Sequence, residues 1–250
     1  MNYTDLRLGD NLPTVGVLQV LLNGYGIRVA VDGTFGHRTF EGVKAFQSKN
    51  HLRPDGIVGQ ETWMRLTREV DLPIVDAVDV FDPTFAENDA AFIRSVGGNV
   101  LVTGGECNGV EDVVRRLQSN RNVFLLRFHG HGLPGIASIS SGEEALDPTN
   151  RADIFASRYI MRILAPLRNL FGPYGSIQFI ECQTGSGGTG HTLLAQLSRQ
   201  LSVPVTGAVL DQPFGRTWSF RLKGPTRTVV PRHSSLRHWC QRLPPFLCRH

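Results

Sequence analysis

The chain has 250 residues, of which 41% are hydrophobic and 19% are charged, so it can bury one or two sizeable cores and does not have the composition of a disordered protein. Its formal net charge is +4, yet the last thirty residues contain seven Lys or Arg residues and no Asp or Glu. The basic character therefore belongs to the carboxy terminus, and no aromatic-basic motif indicates a nucleic-acid partner. No apolar stretch is long enough to predict a membrane span.

The first residues, MNYTDLRLGDNLPTVGVLQVLL, lack a basic segment followed by an apolar one. They therefore do not have the pattern of a cleaved signal peptide. If the protein acts in the cell wall, the periplasm or the extracellular space, we expect a non-classical route to carry it there. A cytoplasmic location stays open at this stage.

A short internal repeat is present in the amino-terminal region. The segments VDGTFGHRTFEGVKAFQ (31–47) and PDGIVGQETWMRL (54–66) share the pattern D-G-x-x-G-x-x-T. Each Asp-Gly pair predicts a tight turn with a positive φ at Gly, and each Gly-x-x-Thr leads into an amphipathic helix. Apolar residues at helical spacing precede the first turn, at Val15, Leu18 and Leu22. Residues 1–70 are therefore predicted to form a small all-α domain of three helices.

These two turns, with the AFQ and TW that follow them, resemble the peptidoglycan-binding domain that accompanies many bacterial wall hydrolases and some matrix metalloproteinases. The likeness covers about residues 5–68 and implies a compact helical module with peptidoglycan as its partner. The candidates for wall contact are Asp32, Phe35, Arg38, Asp55 and Trp63. The alternative is that these residues build the fold, because aromatic side chains such as Trp63 are also what a small core needs.

The pattern changes after residues 71–82, which contain many aspartates and are predicted to be a linker. Over residues 83–230, strand-like apolar runs alternate with helical segments, which predicts an α/β domain with a mostly parallel sheet covered by helices. The strand-like runs are 99–103, 122–128, 176–181 and 203–209, and the helical segments lie near 84–96, 109–119, 155–170 and 189–201. The basic segment 231–250 is predicted to be a tail that need not be ordered.

Two predicted strands end in residues that can carry chemistry. The run NVFLLRF (122–128) leads to His131, and SIQFIE (176–181) leads to Cys182. Because sites in parallel sheets collect beyond the carboxyl ends of the strands, we expect these two side chains at one edge of the sheet. There the imidazole can serve as base and the thiol as nucleophile, with the backbone N–H groups of Gly132 and Cys182 as an oxyanion hole.

The order strand-His-Gly and then strand-x-Cys-x-x-Gly, in HGLPG (131–135) and ECQTGSGGTG (181–190), is similar to that of the caspase-like cysteine peptidases. The resemblance covers roughly residues 83–222 and implies a caspase-like fold, with His131 as base and Cys182 as nucleophile. Asp211, after the last strand-like run, is then a candidate for the floor of a pocket that holds a basic substrate side chain; a solvated turn aspartate is the alternative.

Metal binding by His129 and His131 is a further reading, but an H-x-H metal motif would be followed by an Asp-His pair, and Leu133 and Pro134 stand there instead. No metal or other cofactor is predicted. The sequence thus predicts a bacterial wall-associated protein with a peptidoglycan-binding module and a cysteine peptidase domain. Two alternatives stay open: a non-catalytic binding or interaction protein that retains the fold, and a peptidoglycan-cleaving Cys/His hydrolase.

Overall fold

The computed structural model describes residues 3–79, 83–104, 109–140, 152–212, 220–232 and 235–246, with the backbone alone for 83–88, 152 and 153. The chain forms two compact units. The first unit holds the described residues up to Leu72, Phe220 with Arg221, and residues 235–246; the second holds the described residues from Pro73 to Gln212 and from Leu222 to Arg232. In these described ranges, no helix has the length and apolar character that crossing a membrane requires.

Three helices form the body of the first unit: α1 (Pro13–Gly24), α2 (His37–Lys49) and α3 (Gln60–Leu66). The prediction of a helical amino-terminal region is confirmed. Pro13 opens α1, where its fixed φ suits the first turn of a helix. Helices α2 and α3 each begin directly after the second glycine of a predicted turn, at Gly36 and Gly59. The repeated motif therefore produces a repeated turn-helix unit.

The carboxy-terminal segment is not the free tail that its basic composition predicts. Its residues Leu236–Cys240 form a short helix, and Trp239 and Cys240 are buried in the first unit. The basic segment also contains apolar residues at helical spacing, namely Leu236, Trp239 and Cys240, and these form an apolar face of the short helix. Gly16 of α1 leaves room for this face, because a Cβ at that position would collide with the Cys240 sulfur. Burial against the helices thus orders a segment whose charge alone suggested solvent.

The second unit is built on a six-stranded sheet with helices around it. The strands of the second unit are β1 (Ile74–Asp79), β2 (Asn99–Thr103), β3 (Val123–His129), β4 (Gly132–Leu133), β5 (Ile136–Ser140), β6 (Ala152–Phe155), β7 (Phe171–Ile180), β8 (Val205–Ala208) and β9 (Thr226–Val229). The six-stranded sheet has the order β2-β1-β3-β7-β8-β9, and every neighbouring pair is parallel except β8 with β9. A smaller antiparallel sheet has the order β4-β5-β6.

Within the described ranges, four helices accompany these strands, and they agree with the alternation predicted from the sequence. They are α4 (Pro83–Ser95), α5 (Gly109–Leu117), α6 (Arg158–Leu164), which continues as a 3₁₀ segment over Ala165–Leu170, and α7 (Gly187–Leu201); the carboxy-terminal helix Leu236–Cys240 is α8. The prediction of an α/β unit with a mostly parallel sheet is confirmed.

The segment predicted to be a linker is largely strand β1, which lies between β2 and β3 inside the sheet. Its aspartates suggested a solvated connection, but Asp76 and Asp79 are fully buried. A buried carboxylate is tolerated only where other groups satisfy it, and for Asp76 these groups are side chains of β3. The linker assignment failed because those partners lie about fifty residues further along the chain.

The two faces of the large sheet differ in character. One face belongs to the apolar core shared with α5, α6 and α7, where the rings of Phe128 and Phe179 stack with centroids 5.4 Å apart. The alternating residues point to the opposite face and include a row formed by Asp76, Arg127 and Gln178, which are direct partners in the register of β1, β3 and β7. This row of buried polar side chains thus lies on the face opposite the apolar core.

Candidate functional site

Strands β3 and β7 place the two predicted catalytic residues at the same end of the sheet, beyond the carboxyl ends of the strands. The strands are adjacent and parallel, and His129 pairs with Ile180 in their register. His131 and Cys182 each follow two residues later, and both are half-buried. The expected convergence of the two strand ends is therefore present in the fold.

Gly132 shows how closely the two segments approach. A Cβ built at Gly132 would collide with the Cys182 carbonyl oxygen and the Thr184 hydroxyl and would lie 3.0 Å from the Glu181 Cβ. Only a residue without a side chain fits against this loop. The segment carrying His131 thus packs directly on the segment carrying Cys182.

The pairing of β4 with β5 sets the direction of the Gly132 N–H group. Gly132 is opposite Ala137 in this pairing. Next to this pair, the Ser138 N–H donates a hydrogen bond to the His131 carbonyl oxygen at 2.9 Å. This pattern makes Gly132 and Ala137 a non-hydrogen-bonded pair, in which the N–H of Gly132 points away from β5. The role of this N–H as an oxyanion donor stays a prediction.

Cys182 lies in a sharply bent segment at the end of β7. The next residue, Gln183, has a φ of 49°, which is uncommon for a residue other than glycine, and its N–H donates to the Leu210 carbonyl oxygen at 3.2 Å. The Gln212 N–H donates to the Cys182 sulfur at 3.3 Å. The chain that follows β8 therefore holds both the bend and the thiol in place.

Two acidic residues lie near this bend. Glu181 is buried, and its carboxylate accepts a hydrogen bond from the Thr184 hydroxyl at 3.2 Å. Asp211 is exposed, and its carboxylate accepts a hydrogen bond from the Gln183 side-chain amide at 2.8 Å. The Asp211 side chain thus borders the bend from the solvent side, and its role in specificity stays a prediction.

His129 belongs to a buried charge cluster that the sequence reasoning missed. One oxygen of the Asp76 carboxylate lies 2.6 Å from the Arg127 Nε and 2.7 Å from the His129 Nε2, and its second oxygen accepts from the Arg127 guanidinium at 3.0 Å. The other ring nitrogen of His129 lies 3.5 Å from the Asp89 carboxylate of α4. We call Asp76, Asp89, Arg127 and His129 the buried ionic cluster. The sequence contained an indication of this cluster, because charged residues interrupt the two apolar runs IVDAVD and VFLLRFH.

The surroundings set the protonation of this cluster. Burial opposes the charged form of His129, but hydrogen bonds to Asp76 and Asp89 outweigh it and raise the pKa of the imidazole. Burial likewise opposes ionisation of Asp76, but Arg127 and His129 outweigh it and lower the pKa of that carboxyl. Both ring nitrogens of His129 face carboxylates, an arrangement that favours the protonated imidazole.

In the first unit, buried glutamines hold the two repeated turns. Gln19 donates to the Asp32 carboxylate at 3.0 Å and accepts from the N–H groups of Asp32 and Gly33, both at 2.9 Å. Gln47 donates to the Asp55 carboxylate at 3.0 Å and accepts from the Gly56 N–H at 2.9 Å. Each turn is thus fastened by a glutamine of the preceding helix.

The structure separates the five candidate wall-contact residues into three groups. Phe35 and Trp63 are fully buried, and the Trp63 indole donates to the Thr4 carbonyl oxygen at 2.9 Å. They build the core, so the expectation that these two rings touch the wall polymer is wrong. Asp32 and Asp55 each accept bonds within their own turn, while Arg38 is exposed. A surface contact by Arg38 stays a prediction.

Comparison with known proteins finds a family match within the first unit. A family model for a peptidoglycan binding domain matches residues 11–66. An uncharacterized protein of Kitasatospora aureofaciens, from the 3' region of bpoA1, is 53% identical over 36 residues, which are 14% of this chain and 30% of that protein. The chain therefore spans less than a third of the curated relative that it matches.

Solved structures match about a quarter of the chain. A peptidoglycan-binding protein of Clostridioides difficile, in complex with glutamine hydroxamate, is 36% identical over 28% of this chain and 44% of its own, with a TM-score of 0.27. A Burkholderia AP3 phage endolysin is 42% identical over 26% of this chain and 25% of its own, with a TM-score of 0.26. The predicted resemblance to a peptidoglycan-binding domain is confirmed by the family match, which covers residues 11–66.

Proposed function

We propose that this protein binds peptidoglycan through its first unit and cleaves a peptide bond with Cys182 and His131 of its second unit. The observation that carries the proposal is the packing of Gly132 against the Cys182 carbonyl oxygen, which joins the His131 segment to the thiol segment. Support also comes from the sheet order and from the resemblance of both strand-end motifs to caspase-like cysteine peptidases. Wall association follows from the module in the same chain.

The reaction uses groups that this chain supplies. His131 takes the thiol proton, and the Cys182 sulfur forms a bond to the carbonyl carbon of the substrate. The N–H groups of Gly132 and Cys182 stabilise the negative oxygen of the intermediate. The C–N bond then breaks, His131 returns the proton to the leaving amine, and water hydrolyses the thioester to release the acid and the thiol.

The test is cleavage of peptide libraries by the full chain and by Cys182→Ala. We expect the variant to lose all turnover and to co-sediment with purified peptidoglycan as the wild type does, because nucleophile and wall module belong to different units. Cleavage that persists in Cys182→Ala would overturn the assignment of the nucleophile. A folded wild type that cleaves no library peptide, with or without peptidoglycan, would leave only the binding function.

Thiol labelling tests the pairing of the two residues separately. Burial raises the pKa of the Cys240 thiol to about 12, so we expect iodoacetamide to modify Cys182 and to spare Cys240 near neutral pH. His131→Ala should slow the labelling of Cys182. The matched control is His191→Ala, an exposed histidine on α7, which should leave the rate unchanged. Equal effects of the two substitutions would argue against His131 as the base.

A further inference from the structure

Gln212, which follows β8 in the chain, contacts the proposed nucleophile with its backbone. Its N–H donates to the Cys182 sulfur at 3.3 Å. Its carbonyl oxygen lies 3.8 Å from the same sulfur, at the distance of a weak hydrogen bond from the thiol. Both backbone polar groups of this residue therefore face the sulfur, and they respond in opposite ways when the thiol loses its proton.

Ionisation of Cys182 strengthens the shorter of these two contacts. A thiolate has no hydrogen to donate, so the longer contact with the carbonyl oxygen opposes the charged form. The N–H donor, in contrast, then faces a negative acceptor, and hydrogen bonds with an ionised partner are roughly twice as strong as neutral ones. A donor to the charged form favours that form. The shorter contact outweighs the longer one, and the Gln212 N–H stabilises the thiolate that a nucleophilic cysteine needs.

The Gln212 side chain holds this N–H in place through three hydrogen bonds to backbone groups. Its amide nitrogen donates to the Leu210 carbonyl oxygen at 3.1 Å and to the Lys223 carbonyl oxygen at 3.0 Å. Its amide oxygen accepts from the Lys223 N–H at 2.8 Å. Both amide donors are thus used, and the side chain ties the loop after β8 to the segment that leads into β9.

The same hydrogen bonds reach the bend that carries Cys182. The Leu210 carbonyl oxygen, which accepts from the Gln212 side chain, also accepts from the Gln183 N–H at 3.2 Å. Gln183 directly follows Cys182 in the chain. The position of the sulfur and the position of its donor therefore depend on one shared set of bonds.

We propose that Gln212 is a positioning residue for the proposed cleavage: its side chain holds residues 210–212 against Lys223, and its backbone N–H stabilises the Cys182 thiolate. This inference rests on the proposed function, in which that thiolate attacks the substrate. It assigns to the loop after β8 a part in the chemistry, in addition to its place in the fold.

The test is alkylation of Cys182 by iodoacetamide in Gln212→Met, which keeps the length of the side chain and removes its three hydrogen bonds. The rate follows the thiolate fraction, so we expect it to fall about three- to tenfold at pH 7, as loss of one hydrogen bond allows. At pH 9.5, where an ordinary cysteine is mostly thiolate, the rates of the two proteins should converge. Mass spectrometry of the Cys182 peptide measures the rate, and circular dichroism checks the fold.

The matched control is Gln200→Met, at a half-buried glutamine of α7, which should be alkylated as the wild type is at both pH values. The substitution at Gln212 changes no ionisable side chain. The segments around the thiol carry four such groups, and all stay in place: His131, Glu181, Asp211 and Lys223. A difference that appears only at the lower pH thus reports the hydrogen bond to the sulfur.

Two results with the folded variant would overturn the inference. An unchanged rate at pH 7 would mean that the loop does not stabilise the thiolate. A loss of equal size at pH 7 and pH 9.5 would mean that the variant alters access to the sulfur and not its ionisation. If the wild type cleaves a peptide, its kcat at pH 7 should fall in Gln212→Met along with the alkylation rate. If it cleaves none, the proposed function fails, and alkylation still decides the inference.

Nuclear magnetic resonance of the wild type gives a test that needs no variant at Gln212. The Gln212 amide proton resonance should move with pH along the same curve as the alkylation rate of Cys182, because its acceptor gains a charge. This movement should be absent in Cys182→Ala. A Gln212 resonance that moves in the same way in both proteins refutes the inference, even where Gln212→Met does not fold.

Discussion

The two units of this protein bury polar groups in different ways. In the first unit the neutral side chains of Gln19 and Gln47 fasten two copies of one turn. In the second unit an ionised aspartate, Asp76, joins Arg127 and His129 inside a sheet. A neutral amide can satisfy its bonds with nearby backbone, whereas a buried charge needs an opposite charge in contact. The glutamine hydrogen bonds join residues close in the sequence and occur in both turns. The ionic interactions of Asp76 depend on strands from distant parts of the chain.

The largest expected effect comes from breaking the buried ionic cluster. Asp76→Ala leaves the Arg127 guanidinium and the His129 imidazole buried without their shared carboxylate, and we expect it to lower the free energy of unfolding of the second unit by about 3–5 kcal/mol. Denaturant titration with hydrogen exchange of β1 and β3 peptides measures this loss. Asp71→Ala, at an exposed aspartate, should stay within about 0.5 kcal/mol of the wild type. A loss below about 1 kcal/mol for Asp76→Ala would show that the cluster is not stabilising.

A smaller effect is expected in the first unit. Gln19→Ala removes the acceptor of the Asp32 and Gly33 N–H groups, and we expect it to cost about 2–3 kcal/mol, since buried donors lose their partner. Hydrogen exchange should rise at the first turn and remain as in the wild type across the second unit. The exposed Gln241→Ala serves as the control. A cost larger than that of Asp76→Ala would reverse the contrast between the units.

The smallest effect is a dependence of the second unit's stability on pH. The raised pKa of His129 means that the protonated imidazole stabilises the fold fully below its unfolded pKa of about 6.5. That contribution is lost as pH rises through the folded pKa, with a slope of at most about 1.4 kcal/mol per pH unit for one proton. The lowered pKa of Asp76 acts at the acid end, where stability is lost as pH falls through its folded pKa, below about 3.9.

His129→Gln is the variant that isolates the alkaline limb. The substituted side chain does not titrate, so the unfolding free energy of the second unit should become flatter above pH 6.5 than in the wild type, although its value should be lower. Denaturant midpoints measured from pH 6 to pH 9 test this. Identical slopes in the two proteins would assign the alkaline loss of stability to another group.

Much of the candidate site could be predicted because it is marked by short sequence motifs at the ends of apolar runs. An apolar run followed by His131-Gly132, and another followed by Cys182, placed both residues at strand ends without knowledge of the fold. Adjacency of β3 and β7 then brought the segments together. The buried ionic cluster could not be predicted in this way, because Asp76 and Arg127 are 51 residues apart and each alone suggests a break in an apolar strand.

The sequence by itself determined the repeated turns, the three helices of the module and the alternation of strands and helices, because each depends on residues within a few positions of one another. Tertiary structure alone decided that Ile74–Asp79 are a strand, that Trp239 and Cys240 are buried, and that Phe35 and Trp63 belong to the core. In each of these cases the residue's environment comes from distant segments: Asp76 becomes tolerable in a strand only beside Arg127. The local sequence pattern indicates which structures a segment can form. Burial and charge pairing depend on the whole fold, and they decide which of those structures is stable.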